Sequence, residues 1–134
     1  METTKAIYFD MDGTLVDFYG VPNWLPKLRS YDPSPYTQAK PLLNFSLFAR
    51  YVNHLQRLGY TVGVISWLAK DSIPIYDEAV RTRKNRYLEN HMNSIRWDEV
   101  HLVKYGTPKH YIAKTKHGIL FDDNEEVREN WNGI

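Results

Sequence analysis

The sequence contains no cysteine. That excludes disulfides, thiol nucleophiles and thiolate metal sites, and it suits a reducing compartment. No apolar run approaches the roughly 20 residues of a membrane-spanning helix, so no membrane partner is expected. There is no excess of charge either. Seventeen Lys and Arg stand against 16 Asp and Glu, a formal net charge of +1. Charge alone therefore gives no reason to expect nucleic acid or a lipid surface as partner. Internal repeats and low-complexity segments are also missing. The opening METTKAIYFD reaches its first Asp too early to hold the apolar region of a signal peptide. A cytoplasmic, soluble protein is the expectation, with residues 1–134 forming one domain.

What is present is an alternation of strand-like and helix-like segments. Lys5–Phe9 (KAIYF) is a short apolar strand. Leu42–Leu58 carries Leu43, Leu47, Tyr51, Leu55 and Leu58 at spacings of four or three, which predicts an amphipathic helix closed by Gly59. Tyr60–Ile65 is a β-branched strand. Ile73–Asn90 reads as a long polar helix on the surface, its apolar stripe formed by Ile75, Ala79, Tyr87 and Leu88. Val100–Val103 is a third strand. Pro108 opens a helix to about Lys116, Gly118–Phe121 is a fourth strand, and Asn124 caps a helix to Asn130. Such alternation implies an α/β fold of right-handed βαβ units, with a mostly parallel sheet and helices on both faces. The segment from Phe18 to Lys40 breaks the pattern. With Pro22, Pro26, Pro33, Pro35 and several aromatics it reads as an irregular loop or flap.

Parallel sheets open their crevice at the carboxyl ends of the strands. The first strand ends at Asp10, the second at Ser66 and the fourth at Asp122 and Asp123, so topology alone gathers these residues on one rim. Carboxylates crowded there repel one another unless a cation lies between them. Hard oxygen donors favour magnesium, and Asp10, Asp122 and Asp123 are the candidate Mg²⁺ ligands. Asp10 could then attack a phosphate to form an aspartyl-phosphate, while Asp12 moves the proton to the leaving oxygen and later takes one from water. Gly13 permits the sharp turn between them. The hydroxyl of Ser66 and a Lys ammonium would hold the remaining phosphate oxygens.

Asp10-Met11-Asp12-Gly13-Thr14-Leu15-Val16-Asp17 resembles the first motif of the haloacid dehalogenase superfamily of phosphohydrolases. Four fixed residues in a DxDGT pattern arise by chance in about one chain in a thousand of this length. YTVGVIS resembles the second motif and points to Ser66; GILFDD resembles the fourth and points to Asp122 and Asp123. The third motif is a Lys near a helix start, best matched by Lys109, with Lys104 as the alternative. The resemblance implies a three-layer Rossmann-like core, with Asp10 and Asp12 as catalytic residues and Ser66 and Lys109 binding the substrate phosphate. It implies Mg²⁺ held by Asp10, the backbone carbonyl of Asp12, and Asp122 and Asp123, of which Asp123 is the more direct ligand. The family core continues into a fifth strand, whereas this chain stops at WNGI. Either the last edge strand is missing or the chain is a truncation, and a homodimer across the exposed sheet edge is one way to cover it. There is no room for a full cap domain.

The layout is similar, at the level of architecture, to nucleotide phosphatases and polynucleotide 3′-phosphatase domains. It implies a phosphorylated small molecule, a nucleotide or a nucleic-acid end as substrate. The basic stretch Arg81–Arg86 (RTRKNR) could serve such a substrate, but a solvated helix face explains it better. Trp24, Tyr31, Tyr36 and Trp67 are candidates to stack on a base. Asp17 reads as solvated and Asp71 as a cap for the next helix. The five His residues show no metal-ligand spacing. Two other readings compete: a phospho-accepting receiver domain and a non-catalytic binding domain of the same fold. A receiver needs its phosphorylated Asp after the third strand, where this chain has Val103-Lys104-Tyr105.

Overall fold

The structure, a computed structural model, describes residues 5–113 and 118–131. In chain order the elements are β1 (Ala6–Phe9), β2 (Val16–Asp17), a 3-10 turn (Phe18–Gly20), α1 (Trp24–Arg29), α2 (Pro35–Gln38), β3 (Lys40–Pro41), α3 (Phe45–Arg57), β4 (Thr61–Trp67), α4 (Pro74–His91), β5 (Glu99–Val103), α5 (Lys109–Ile112), β6 (Gly118–Phe121) and α6 (Glu125–Asn130). Four strands form an all-parallel sheet in the order β5-β4-β1-β6. The fold is thus α/β with a Rossmann-like three-layer core, as the alternation predicts. No helix among the described residues is long and apolar enough to cross a membrane.

Register decides which residues face which layer. Ile7, Phe9, Val62, Val64 and Leu102 share one face through the β1–β4 and β4–β5 pairings. There Phe9, Val62, Val64 and Leu102 pack with Ala49 and Val52 of α3 and Tyr87 and Leu88 of α4. Ala6, Tyr8 and Ile65 face the other way, against Trp131. Tyr8, Val62, Val64 and Ile65 are completely buried, each worth about 1.5–3 kcal/mol of transfer free energy. Gly63 sits where strands crowd: a Cβ there would lie 2.9 Å from the Glu99 carbonyl oxygen.

Three expectations need correction. The α3 helix exists and Asn44 caps it, but of the stripe expected from the sequence only Leu55 packs against the core. Leu43, Leu47, Tyr51 and Leu58 are exposed, and Phe45, Phe48, Ala49 and Val52 face the sheet. Both stripes have helical period, and the contact of Phe48 with Phe9 (ring centroids 5.0 Å apart) belongs to the second. The α4 helix is likewise not simply superficial. It buries Tyr76, Val80, Lys84, Tyr87 and Leu88, while Ile75 is 82% exposed.

The third correction concerns residues 18–40, which are ordered rather than irregular. Val16 and Asp17 pair antiparallel with Pro41 and Lys40. Asp17 is not merely solvated, since its carboxylate accepts from Gly20 N at 3.0 Å. Pro35 occupies the first turn of α2. Phe18 stacks on Tyr36 at 4.6 Å, and these pack with Leu68, Tyr76 and Val80. The segment is pinned to α4 by Tyr76 Oη donating to Asp32 O (2.9 Å), Arg83 Nη1 to Thr37 Oγ1 (2.9 Å) and Tyr87 Oη to Ala39 O (2.7 Å). Aromatic side chains thus supply a local core that the prolines alone do not suggest. Two smaller expectations also change. Asp71 does not cap α4, whose N-cap is Ile73. The helix after Pro108 spans only Lys109–Ile112; its expected continuation to Lys116 lies outside the described residues.

Candidate active site

The turn after β1 explains how two carboxylates leave one strand end in different directions. Met11 O accepts from the amides of Thr14, Leu15 and Val16 at 2.9–3.1 Å, and Gly13 N donates to Val16 O at 2.8 Å. This tight turn needs φ +82° at Gly13, and a Cβ there would lie 2.2 Å from Asp123 Oδ2. Only glycine permits both. Asp10 N donates to Phe121 O at 2.9 Å, which ties the end of β1 to the end of β6. Asp122 follows directly, and its Oδ1 accepts from Asn124 N at 2.9 Å. Asn124 in turn caps α6 through Val127 N, as expected.

The rim residues predicted from sequence meet. Asp10, Ser66, Lys109 and Asp122 are all buried, and Asp12 is partly so. Lys109 Nζ donates to Asp10 Oδ1 at 3.0 Å and to Asp122 Oδ2 at 2.5 Å. Lys104, the alternative, is exposed, and its carbonyl accepts from Thr107 at the start of the next loop. Carboxylate oxygens of Asp10, Asp122 and Asp123 lie within 4.8 Å of one another.

A residue that the sequence reading left on a solvated face also arrives. Lys84, within RTRKNR, is 1% exposed. Its ammonium donates to Asp12 Oδ2 (2.9 Å), Ser66 Oγ (2.8 Å) and Trp67 O (2.7 Å). A signal was present: Tyr76, Val80, Lys84 and Leu88 recur every fourth residue, so Lys84 lies on the buried stripe. Of the other basic residues of that stretch, Arg81 pairs with Glu78, Arg83 donates to Thr37 Oγ1 and Arg86 is exposed.

Electrostatically the site is short of positive charge. Four carboxylates face two ammoniums. Burial pushes the Asp10 carboxyl up from the ordinary value of 3.8 to about 7; Lys109 and Lys84 oppose this, and Asp122 and Asp12 add to it. Asp123 is also raised, by burial and then by Asp122. An all-oxygen donor set with two uncompensated negative charges fits a hard divalent cation. Asp10, Asp122 and Asp123 could hold one. Both Asp122 oxygens already accept hydrogen bonds, from Lys109 and from Asn124 N.

Above these groups lies a cleft of about 230 Å³. Phe18, Tyr19, Trp24 and Tyr36 line one side, and Trp67 and Tyr105 also line it. Of the residues read as candidates to stack on a base, Trp24, Tyr36 and Trp67 line this cleft. Tyr31 is not among its lining residues and packs on Tyr76 instead. Tyr19 and Tyr105 were not foreseen. Burial and the nearby Asp12, Asp123 and Asp10 push the Tyr19 hydroxyl up, so it remains a neutral donor. Trp67 is fixed by Nε1 donating to Thr107 O at 2.7 Å and lies 5.4 Å from Lys109 Nζ.

No protein-family model matches the chain, and no curated protein sequence matches it. Among solved structures, a chain of the Pnkp1/Rnl/Hen1 complex is similar in fold, with a TM-score of 0.59 at 19% identity. The likeness covers 98% of this chain and 43% of that one, so this chain spans less than half of its neighbour's length.

Proposed function

We propose that the chain is a magnesium-dependent phosphomonoester hydrolase working through an aspartyl-phosphate on Asp10. The observation that carries this reading is the meeting of Asp10 with Asp122, Asp123 and Lys109 at the carboxyl ends of parallel strands, beside Asp12 and Ser66. The resemblance of FDMDGTLVD to the haloacid dehalogenase motif and the fold likeness above support it. In this reading Asp10 attacks phosphorus as the ester P–O bond breaks, and Asp12 gives its proton to the leaving oxygen. Asp12 then takes a proton from the water that attacks phosphorus. That step releases inorganic phosphate and restores the Asp10 carboxylate. Lys109 and Ser66 hold the non-bridging phosphate oxygens. Magnesium bound by Asp10, the carbonyl of Asp12, Asp122 and Asp123 would offset the charge of carboxylates and phosphate.

The aromatic lining of the cleft supports a substrate with a planar group, a nucleotide or a phosphorylated nucleic-acid end. The solved Pnkp1/Rnl/Hen1 neighbour is consistent with that class. A receiver reading finds no support, since β5 ends at Val103 with no carboxylate following it.

The direct test is release of inorganic phosphate from an aryl phosphate and from a panel of nucleotides and 3′- or 5′-phosphorylated oligonucleotides. Release is expected with millimolar magnesium and is expected to vanish with excess EDTA. Turnover that ignores EDTA would sink the metal-dependent reading.

Stability carries a second, independent expectation. The folded chain without metal holds a proton on Asp10 more tightly than the unfolded chain does. The stability that Asp10 contributes is therefore fully present below the ordinary carboxylate range and is lost as pH rises from about 4 to about 7. Lys109, Lys84, Asp122 and Asp12 face this group and set the slope. A bound cation favours the charged carboxylate. The magnesium-induced rise in Tm should accordingly be larger at pH 7 than at pH 5, read by thermal unfolding with and without EDTA. An equal rise at both pH values would count against Asp10 as a ligand.

A further inference from the structure

We infer that Lys84 is a positioning residue of the phosphatase reaction, acting through Asp12 and Ser66 rather than on the substrate. The inference rests on the reading under Proposed function. A lysine ammonium has three donors and no acceptor. All three are used: Asp12 Oδ2 at 2.9 Å, Ser66 Oγ at 2.8 Å and Trp67 O at 2.7 Å. Its side chain is 1% exposed. No N–H remains for a phosphate oxygen, which separates Lys84 from Lys109.

What Lys84 does follows from the chemistry of its two side-chain partners. A hydroxyl has one donor and two acceptor sites. With Lys84 donating into Ser66 Oγ, the Ser66 proton is left to donate elsewhere, and a phosphate oxygen is the acceptor the site calls for. A carboxylate that moves protons must hold one oxygen still while the other exchanges the proton. Lys84 fixes Asp12 Oδ2 and leaves Oδ1 for that exchange. The ammonium also lies 5.3 Å from the centre of the Tyr36 ring, which belongs to the ordered segment pinned on α4. One side chain of α4 therefore joins the turn after β1 and the end of β4 into a rigid unit. Alignment of this kind is where catalytic rate is gained.

The experiment compares two esters in the full chain with magnesium. One is an alkyl phosphate, whose leaving oxygen needs a proton. The other is 2,4-dinitrophenyl phosphate, whose leaving group departs without one. Lys84→Met keeps the apolar stem and removes the ammonium. On the alkyl ester kcat should fall on the order of 10²-fold, the size of a lost general acid, with KM changing much less. On the dinitrophenyl ester kcat/KM, which reports transfer to Asp10 and not the later attack of water, should fall about tenfold or less and report the Ser66 contact alone. Added to Asp12→Asn, Lys84→Met should cost the alkyl ester no more than it costs the dinitrophenyl ester, because its Asp12 contribution is already gone. The double variant removes both members of the buried pair, so it remains informative if the single variant does not fold. Equal losses on the two esters, or additive losses in the double variant, overturn the role of Lys84. Absence of magnesium-dependent turnover of either ester by the unaltered chain overturns the phosphatase reading and this role with it.

Discussion

Replacing Asp10 by Asn should lower magnesium-dependent phosphate release by on the order of 10³-fold or more while leaving the chain folded. The amide nitrogen cannot attack phosphorus, and the remaining oxygen is a far weaker nucleophile than a carboxylate. The size of the loss reflects a residue that forms and breaks the covalent bond, not one that merely binds. Stability should move the other way. Asp10 is buried and its carboxyl is pushed up to about 7, so at neutral pH the metal-free fold holds a carboxylate that burial opposes. Asn removes that charge, while Lys109 keeps Asp122 as partner at 2.5 Å. Without metal, Tm at pH 7 should be unchanged or higher. Phosphate-release kinetics and thermal unfolding on the same preparation check both halves. Full activity in Asp10→Asn would remove Asp10 from the nucleophile's place, and an unfolded variant would show that the amide cannot be accommodated.

Lys109→Ala should lose both activity and stability. Lys109 is 3% exposed and lies between Asp10 and Asp122. Without it, two buried carboxylates face each other with no fixed cation. Breaking a buried pair by removing one member typically costs about 3–5 kcal/mol. Turnover should fall roughly 10²- to 10³-fold, as when a preorganised donor to a developing anion is removed. Magnesium should recover part of the stability, since it supplies charge at the same point, but not the turnover. Lys104→Ala is the internal comparison. That side chain is exposed, and its loss should leave Tm and turnover within error. Urea unfolding and steady-state kinetics on the two variants separate the lysines. Matching losses in both would show that neither is specific to the site.

The lysines also show how far a sequence can be read. Lys109 is singled out by the resemblance, which implies a Lys near the start of the helix before the last strand, a start that Pro108 marks. Lys84 was missed for a physical reason. A cation on an apolar stripe reads as a break in the stripe, and its five charged or polar neighbours in RTRKNR suggest solvent. The carboxylate and hydroxyl that make its burial tolerable come from residues 72 and 18 positions away. Helix α3 has the same difficulty in another form. Leu43, Leu47 and Tyr51 have the helical spacing that Phe45, Phe48 and Val52 also have, and period alone cannot say which row meets a sheet.

The segment Phe18–Lys40 was misread because prolines and tight turns look like absence of structure. Its order comes from partners elsewhere: Tyr76, Arg83 and Tyr87 of α4 hold it at Asp32, Thr37 and Ala39. Only when α4 is in place does it become a wall of the cleft.

The sequence by itself determined the alternating elements, the turn of FDMDGTLVD and the gathering of Asp10, Ser66, Asp122 and Asp123 on one rim. Those features depend on local backbone preference, strand-end position and the chain order of parallel strands. Which helix stripes are buried, that Lys84 reaches Asp12 and Ser66, and that an aromatic segment walls the cleft are legible only in the tertiary structure. Those outcomes depend on long-range pairing, in which a charge or a ring is stable only where its partner arrives.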